Sequence, residues 1–102
     1  MTDRDPSNPL LHAVRINSKR REERYAEHRA AGKAWMIECR DLWDSEDEDA
    51  GVYFVGCANA AAVTRYIQGL DPASDRVLGI YDLSRPLVPQ GPGITEQEWK
   101  SR

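Results

Sequence analysis

The stretch VYFVGCANAAAVTRYIQGL (residues 52–70) contains the change of periodicity that decides the fold. Its first six residues, 52–57, are β-branched or aromatic at most positions and predict a strand. Asn59 then offers an N-cap side chain, and the residues after it have the i, i+3, i+4, i+7 spacing of a helix that faces a core. The apolar positions of this helix are Val63, Tyr66, Ile67 and Leu70. A strand and an amphipathic helix in direct succession indicate a mixed α+β domain.

Two further strands are predicted on either side of this stretch. In residues 35–40, Trp35, Ile37 and Cys39 alternate with residues that point to the opposite face. The last predicted strand spans residues 76–83 and places four residues on one face: Val77, Gly79, Tyr81 and Leu83. The sheet therefore has three strands, and we expect it to be largely antiparallel.

The hairpin between the first two strands is rich in acidic residues. Residues 44–51 have no large apolar side chain, so they are predicted to form the hairpin loop. If Trp43 lies near Tyr53, then Cys39 and Cys57 are expected roughly opposite one another across the pair.

A long basic helix is predicted before the sheet. Asn8 and Pro9 have the residue types of a helix start, and Gly32 supplies a stop. Apolar residues concentrate near its beginning, whereas residues 17–24 are polar or charged. We therefore expect the first turns to dock and the middle to face solvent or a partner. The candidate contacts to nucleic acid or to a partner are seven cations: Arg15, Lys19, Arg20, Arg21, Arg24, Arg29 and Lys33.

Together these elements predict a single small α+β domain of order α-β-β-α-β, because 102 residues suffice for one ordinary core. Residues 1–7 are predicted to be a mobile N-terminus and residues 8–85 the domain. Residues 86–102 read as a Pro/Gly-rich tail that ends in a short helical turn with a capping box. Three tryptophans exceed the needs of a small core, so we expect Trp43 or Trp99 to be exposed.

The formal net charge of −3 conceals opposed blocks along the chain. Residues 1–40 hold nine Lys/Arg and six Asp/Glu, whereas residues 41–50 hold six acids and no base. A dense anionic segment can attract a basic protein surface and imitate a nucleic-acid backbone. The candidate partner-binding residues of this segment are Trp43, Asp44, Glu46, Asp47, Glu48 and Asp49.

The sequence lacks the residues that phosphate-binding loops, metal sites and catalytic sets require. The Gly51 to Gly56 spacing of a phosphate loop is followed by Cys57 and Ala58, where Lys and Ser/Thr are needed. Two Cys and two His occur without a CxxC pair, so neither a metal site nor a cofactor is predicted. No nucleophile, base and acid form a recognisable catalytic set, and no catalytic residue is assigned.

The leading hypothesis is a non-enzymatic protein that binds another macromolecule through charged surfaces. A small phage or bacterial inhibitor or regulator of a nucleic-acid-handling complex, of the anti-defence type, fits this description, with nucleic acid reached directly or through a protein partner. The first alternative is a small nucleic-acid-binding regulator that uses the basic helix. The second is a metal-free ribonuclease built on His28, Lys33, Glu38 and Arg40.

The cellular location of the protein is predicted from its first residues and from the length of its apolar runs. The first residues lack the apolar region of a secretory signal, and no apolar run approaches the length of a membrane span. A cytoplasmic protein with no membrane contact is therefore expected. Self-association into a homodimer is a further expectation, because an edge strand and two complementary charge blocks are present.

Overall fold

The computed structural model describes the backbone of residues 9–42, 51–90 and 93–102, and the side chains of residues 19–42, 51–88 and 93–102. Its order is α-β-β-α-β with two short helices at the end, which confirms the predicted α+β class. The elements are α1 (Pro9–Ala30), β1 (Trp35–Asp41), β2 (Val52–Cys57), α2 (Ala60–Gly69), β3 (Asp75–Asp82), α3 (Leu87–Gln90) and α4 (Glu96–Lys100). Within these ranges no helix combines the length and the apolar character needed to cross a membrane.

The three strands form an antiparallel sheet of order β2-β1-β3. Cys39 lies opposite Tyr53 and Cys57 lies opposite Trp35, so the expected pairing of the two cysteines is wrong by four residues. The hairpin closes before Trp43, because the N–H of Asp41 donates to the carbonyl of Gly51 at 2.8 Å. Gly51 has a φ of 82°, a left-handed conformation that glycine adopts without strain and that directs the chain into β2.

Strand β3 contains a β-bulge at Leu78. Two consecutive residues of β1 lie opposite Gly79 and Val77, so Leu78 has no residue across from it. The bulge reverses the alternation of faces, and Val77 packs on the α2 side of the sheet whereas Tyr81 packs on the α1 side. The prediction that these two residues share a face is therefore wrong.

Helices α2 and α4 cover one face of the sheet. Asn59 caps α2 as predicted, accepting a hydrogen bond from the N–H of Ala62 at 2.9 Å, and Val63 and Ile67 are buried. The buried cluster on this side consists of Ile37, Cys39, Cys57, Val63, Ile67, Ile80 and Trp99.

Helix α1 covers the other face, and its second half makes the contact. Tyr25 is buried there in a cluster with Met36, Tyr81 and Leu83. Arg20 reaches the carbonyl of Val52, and the space beside Gly56 is filled by the His28 ring. Eight helical residues rise about 12 Å and four strand residues about 13 Å, so α1 runs along β2. The expectation that the middle of this helix projects away from the fold is wrong, because its side chains satisfy polar groups on the sheet.

The segment after residue 93 packs against the sheet. Ile94 and Ile80 exchange two backbone hydrogen bonds of 2.8 Å, which cover part of the outer edge of β3. Trp99 is only 8 % exposed, its ring lies edge-on to Trp35 at 4.8 Å, and its Nε1 donates to Thr64 Oγ1 at 3.1 Å. Trp99 is thus a core residue and not an exposed one.

The predicted capping box at the start of α4 is confirmed. Glu98 N–H donates to Thr95 Oγ1 at 3.0 Å, and Thr95 N–H donates to Glu98 Oε1 at 2.9 Å. Hydrogen bonds from the backbone N–H and the side chain of Thr95 lower the pKa of the Glu98 carboxyl. The box orients the short helix that delivers Trp99 to the core.

Candidate functional site

The acidic candidates Trp43, Asp44, Glu46, Asp47, Glu48 and Asp49 lie outside the described residues. The residues that flank these candidates are described, and the N–H of Asp41 donates to the carbonyl of Gly51 across the hairpin. We call residues 41–49 the acidic segment and this edge the hairpin end of the sheet. The sequence places six carboxylates within this segment.

The hairpin end separates positive from negative charge between its two faces. Asp75 lies opposite Asp41, and its Oδ1 accepts a hydrogen bond from Tyr53 at 2.8 Å on the α2 side. Arg40 and Arg76 are also paired across the strands, and strand alternation places them on the α1 side. The described carboxylates of the hairpin end, Asp41 and Asp75, thus share the α2 face, whereas Arg40 and Arg76 share the α1 face.

Arg21, one of the candidate cations, is engaged inside the fold. Its Nε and one terminal nitrogen donate to the two oxygens of Glu38 at 2.7 and 3.2 Å, and Glu38 is only 3 % exposed. Tyr81 donates to the same carboxylate at 3.3 Å. The hydrogen bond to Glu38 raises the pKa of Arg21, and burial together with the Glu38 charge raises the pKa of Tyr81 to about 12. This bidentate pair fastens α1 to β1.

The other cations whose side chains the structure describes, from residue 19 onward, do not form a positive surface. Arg20 donates to the carbonyl of Val52 at 2.6 Å, and Arg24 pairs with Glu27 at 2.6 Å. The exposed charged residues between 19 and 33 are Lys19, Arg24, Arg29 and Lys33 against Glu22, Glu23 and Glu27. The side chain of Arg15 lies outside the described residues. The solvent-facing side of this part of α1 is therefore nearly neutral, which disfavours a series of phosphate contacts.

The four residues of the ribonuclease alternative do not meet in an open site. Glu38 is buried beneath Arg21, while Lys33 is exposed at the end of α1. His28 packs against Gly56, and burial lowers its pKa. The charge of the exposed Glu27 also acts on the imidazole, but Glu27 forms an ion pair with Arg24 and is not one of the four residues. Glu38, the carboxylate of this alternative, is paired with Arg21 and not with His28.

The cysteines are core residues. Cys39 and Cys57 are buried and free, and burial raises the pKa of Cys39 to about 12 and also raises that of Cys57. A thiol held neutral in this way is a poor nucleophile and a poor metal ligand. Across the described side chains, no three His, Cys, Asp or Glu residues come together as a metal-binding group.

One surface feature was missed by the sequence analysis. An open groove of about 530 Å³ lies between α1 and the start of α3. Its lining residues are Glu22, Tyr25, Ala26, Arg29, Ala30, Pro86, Leu87 and Val88. The signal in the sequence was the Ala26 and Ala30 pair, four residues apart on a helix that is otherwise charged, but its partner segment is more than fifty residues away in the chain.

The fold and these surfaces define the class of protein: a small α+β domain whose antiparallel sheet is covered by α1 on one face and by α2 and α4 on the other. Comparison with protein-family models, curated proteins and solved structures finds no match.

Proposed function

We propose that this protein is a non-enzymatic regulator or inhibitor that binds a basic protein partner through the acidic segment. The observation that supports this proposal is the charge separation at the hairpin end, where Asp41, the first of six acidic residues within residues 41–49, lies opposite Asp75. The described part of α1, by contrast, uses Arg20 and Arg21 for its own docking. The acidic segment is therefore a better candidate for the partner-binding surface than α1.

The chemistry of such a surface is recognition by charge. A compact anionic segment steers a cationic partner and raises the association rate, and it binds more weakly as salt screens the charges. A partner that handles nucleic acid carries such a cationic surface for phosphates, so the acidic segment would compete with nucleic acid for it. Trp43 lies within the segment in sequence and supplies an aromatic contact of the kind enriched at interface centres.

The experiment compares two matched pairs of glutamates. Glu46→Gln with Glu48→Gln removes two negative charges from the acidic segment, and Glu23→Gln with Glu27→Gln removes the same number from the exposed side of α1. Immobilised wild-type protein is used to retain partners from a bacterial lysate, which are identified by mass spectrometry, and each is then purified and titrated against all three proteins at low and high salt.

The expected result is a basic protein whose affinity falls at high salt and in the Glu46/Glu48 variant, with little change in the Glu23/Glu27 variant. Purified nucleic acid that matches the partner's own substrate should compete for it. Equal affinity of the wild type and the Glu46/Glu48 variant for every retained protein would refute the proposal.

Direct binding of nucleic acid is the alternative that the same preparation tests. A fluorescent duplex or single strand is titrated at low salt against the wild type and against Lys19→Gln with Lys33→Gln. These lysines are the appropriate choice because Arg20 and Arg21 hold α1 on the sheet, so their removal would confound binding with folding. Micromolar binding that is lost in the lysine variant would favour this alternative over the acidic segment.

A further inference from the structure

The groove between α1 and α3 is an apolar surface without a partner among the described residues. Val88 is 85 % exposed on one wall, and the small side chains of Ala26 and Ala30 leave the opposite wall low. Tyr25 forms the floor of the groove, and its hydroxyl, which is hydrogen-bonded to the carbonyls of Asp82 and Arg85, holds the floor to the end of β3. An exposed apolar side chain beside a rigid, shallow groove is typical of an interaction surface.

The charges on the rim identify the kind of occupant. Glu22 stands at one end of the α1 wall and Arg29 at the other, seven residues or about 10 Å apart along the helix. A ligand of one charge would be attracted at one end and repelled at the other. A helix that presents the same two charges in the reverse order satisfies both ends, and α1 of a second copy in antiparallel orientation is such a helix.

We propose that this face of α1 is the interface of a homodimer. A twofold axis between residues 25 and 26 places Glu22 of each copy against Arg29 of the other, which is the reciprocal pairing required of an isologous interface. Ala26 lies between these pairs and Ala30 lies just beyond Arg29, and their small side chains permit the close approach of two helices. Val88 of each copy lies at the edge of the same groove and loses solvent exposure on association.

The proposed interface uses none of the residues of the acidic segment. Arg20 marks the hairpin end at Val52, and the α1 wall of the groove extends from Glu22 to Ala30, past His28 beside Gly56 at the other end of β2. Two acidic segments would thus be carried by one assembly. The homodimer does not depend on the proposed function, since the two rest on different residues and their tests use different variants.

The test is reciprocal charge reversal, measured by sedimentation equilibrium of the full chain over a wide concentration range. Glu22→Arg alone and Arg29→Glu alone each bring like charges together twice per dimer, and each should weaken dimerisation by about tenfold or more. An equimolar mixture of the two variants should associate again, because each interface pair then joins opposite charges. Only an intermolecular pairing gives this recovery.

Two further variants serve as controls. Glu27→Arg has the same change of charge as Glu22→Arg but lies outside the groove, and it should dimerise like the wild type. Val88→Asp places a charge in the apolar wall and should leave the protein monomeric, with an unchanged far-UV circular dichroism spectrum. A wild type that stays monomeric at every concentration, or a mixture of the two charge variants that fails to associate, would overturn the proposal.

Discussion

The ion pair between Arg21 and Glu38 permits a quantitative test of how α1 is held. Glu38 is 3 % exposed and the Arg21 side chain 27 % exposed, so the carboxylate depends on its partner while the guanidinium is already partly solvated. Removing one partner of a buried pair typically costs about 3–5 kcal/mol, because the other charge remains buried. Since Tyr81 still donates to Glu38 after Arg21 is lost, we expect Arg21→Met to cost about 3 kcal/mol, at the low end of this range.

The matched control is Arg24→Met, which breaks the exposed pair with Glu27 on the same helix. Exposed pairs contribute about 1 kcal/mol or less, so this variant should unfold close to the wild type. The double variant Arg21→Met with Glu38→Met replaces the pair with apolar side chains of similar length. Because it leaves no buried charge, it should recover most of the lost stability.

Urea unfolding at neutral pH, followed by both tryptophan fluorescence and far-UV circular dichroism, measures all of these free energies. Coincident transitions and an unchanged slope with urea show that the comparison is two-state. If Arg21→Met and Arg24→Met have the same small effect, the buried pair does not hold α1 on the sheet. A double variant that is less stable than Arg21→Met would refute the role assigned to the desolvated carboxylate.

Four other predictions concern separate parts of the fold. Gly56→Ala should cost about 1–3 kcal/mol because its methyl group meets the His28 ring, and the cost should shrink in a His28→Ala background when both are measured by urea unfolding. Burial lowers the pKa of His28 below its ordinary value of 6.5. The unfolded chain therefore takes up this proton at a higher pH than the folded protein, and the free energy of unfolding falls as the pH drops below 6.5. The variant His28→Gln should flatten this part of the plot of unfolding free energy against pH. Trp99→Ala should cost about 3–5 kcal/mol in the same assay, and a change below 1 kcal/mol would contradict its place in the core. Cys39 and Cys57 should react with iodoacetamide at mildly alkaline pH only as fast as the chain opens, and labelling at the rate of a free thiol in the folded protein would contradict their burial.

Much of the secondary structure could be predicted because its signals are local. The Asn59 cap, the apolar spacing of α2 and the Thr95 capping box involve residues within one or two helical turns of each other, and all three are present in the structure. The order of helices and strands along the chain likewise follows from the spacing of apolar residues, which changes between a period of two in strands and a period of 3.6 in helices. The candidate cations were chosen for their charge, and their binding to nucleic acid or a partner stays a prediction, while Arg20 and Arg21 contact the sheet.

The uses of those cations depend on contacts between distant parts of the chain. Arg21 meets Glu38 only after α1 folds back over β1, and this contact turns a candidate binding residue into a structural one. The groove arises in the same way, since Ala26 and Val88 are adjacent only in the folded chain. No local pattern reports which charges will be neutralised internally, because that is decided by the free energy of desolvating them in the packed state.

The composition and periodicity of the chain are sufficient to specify an α+β domain, its order of elements and the acidic segment, because each of these properties belongs to neighbouring residues. The strand register, the bulge at Leu78 and the burial of Trp99 required the packed structure. A shift of register or a bulge leaves local propensities almost unchanged, but it exchanges which side chains face the core. Only the packing of both faces of the sheet at once, α1 on one face and α2 with α4 on the other, selects one register and one bulge position from these alternatives.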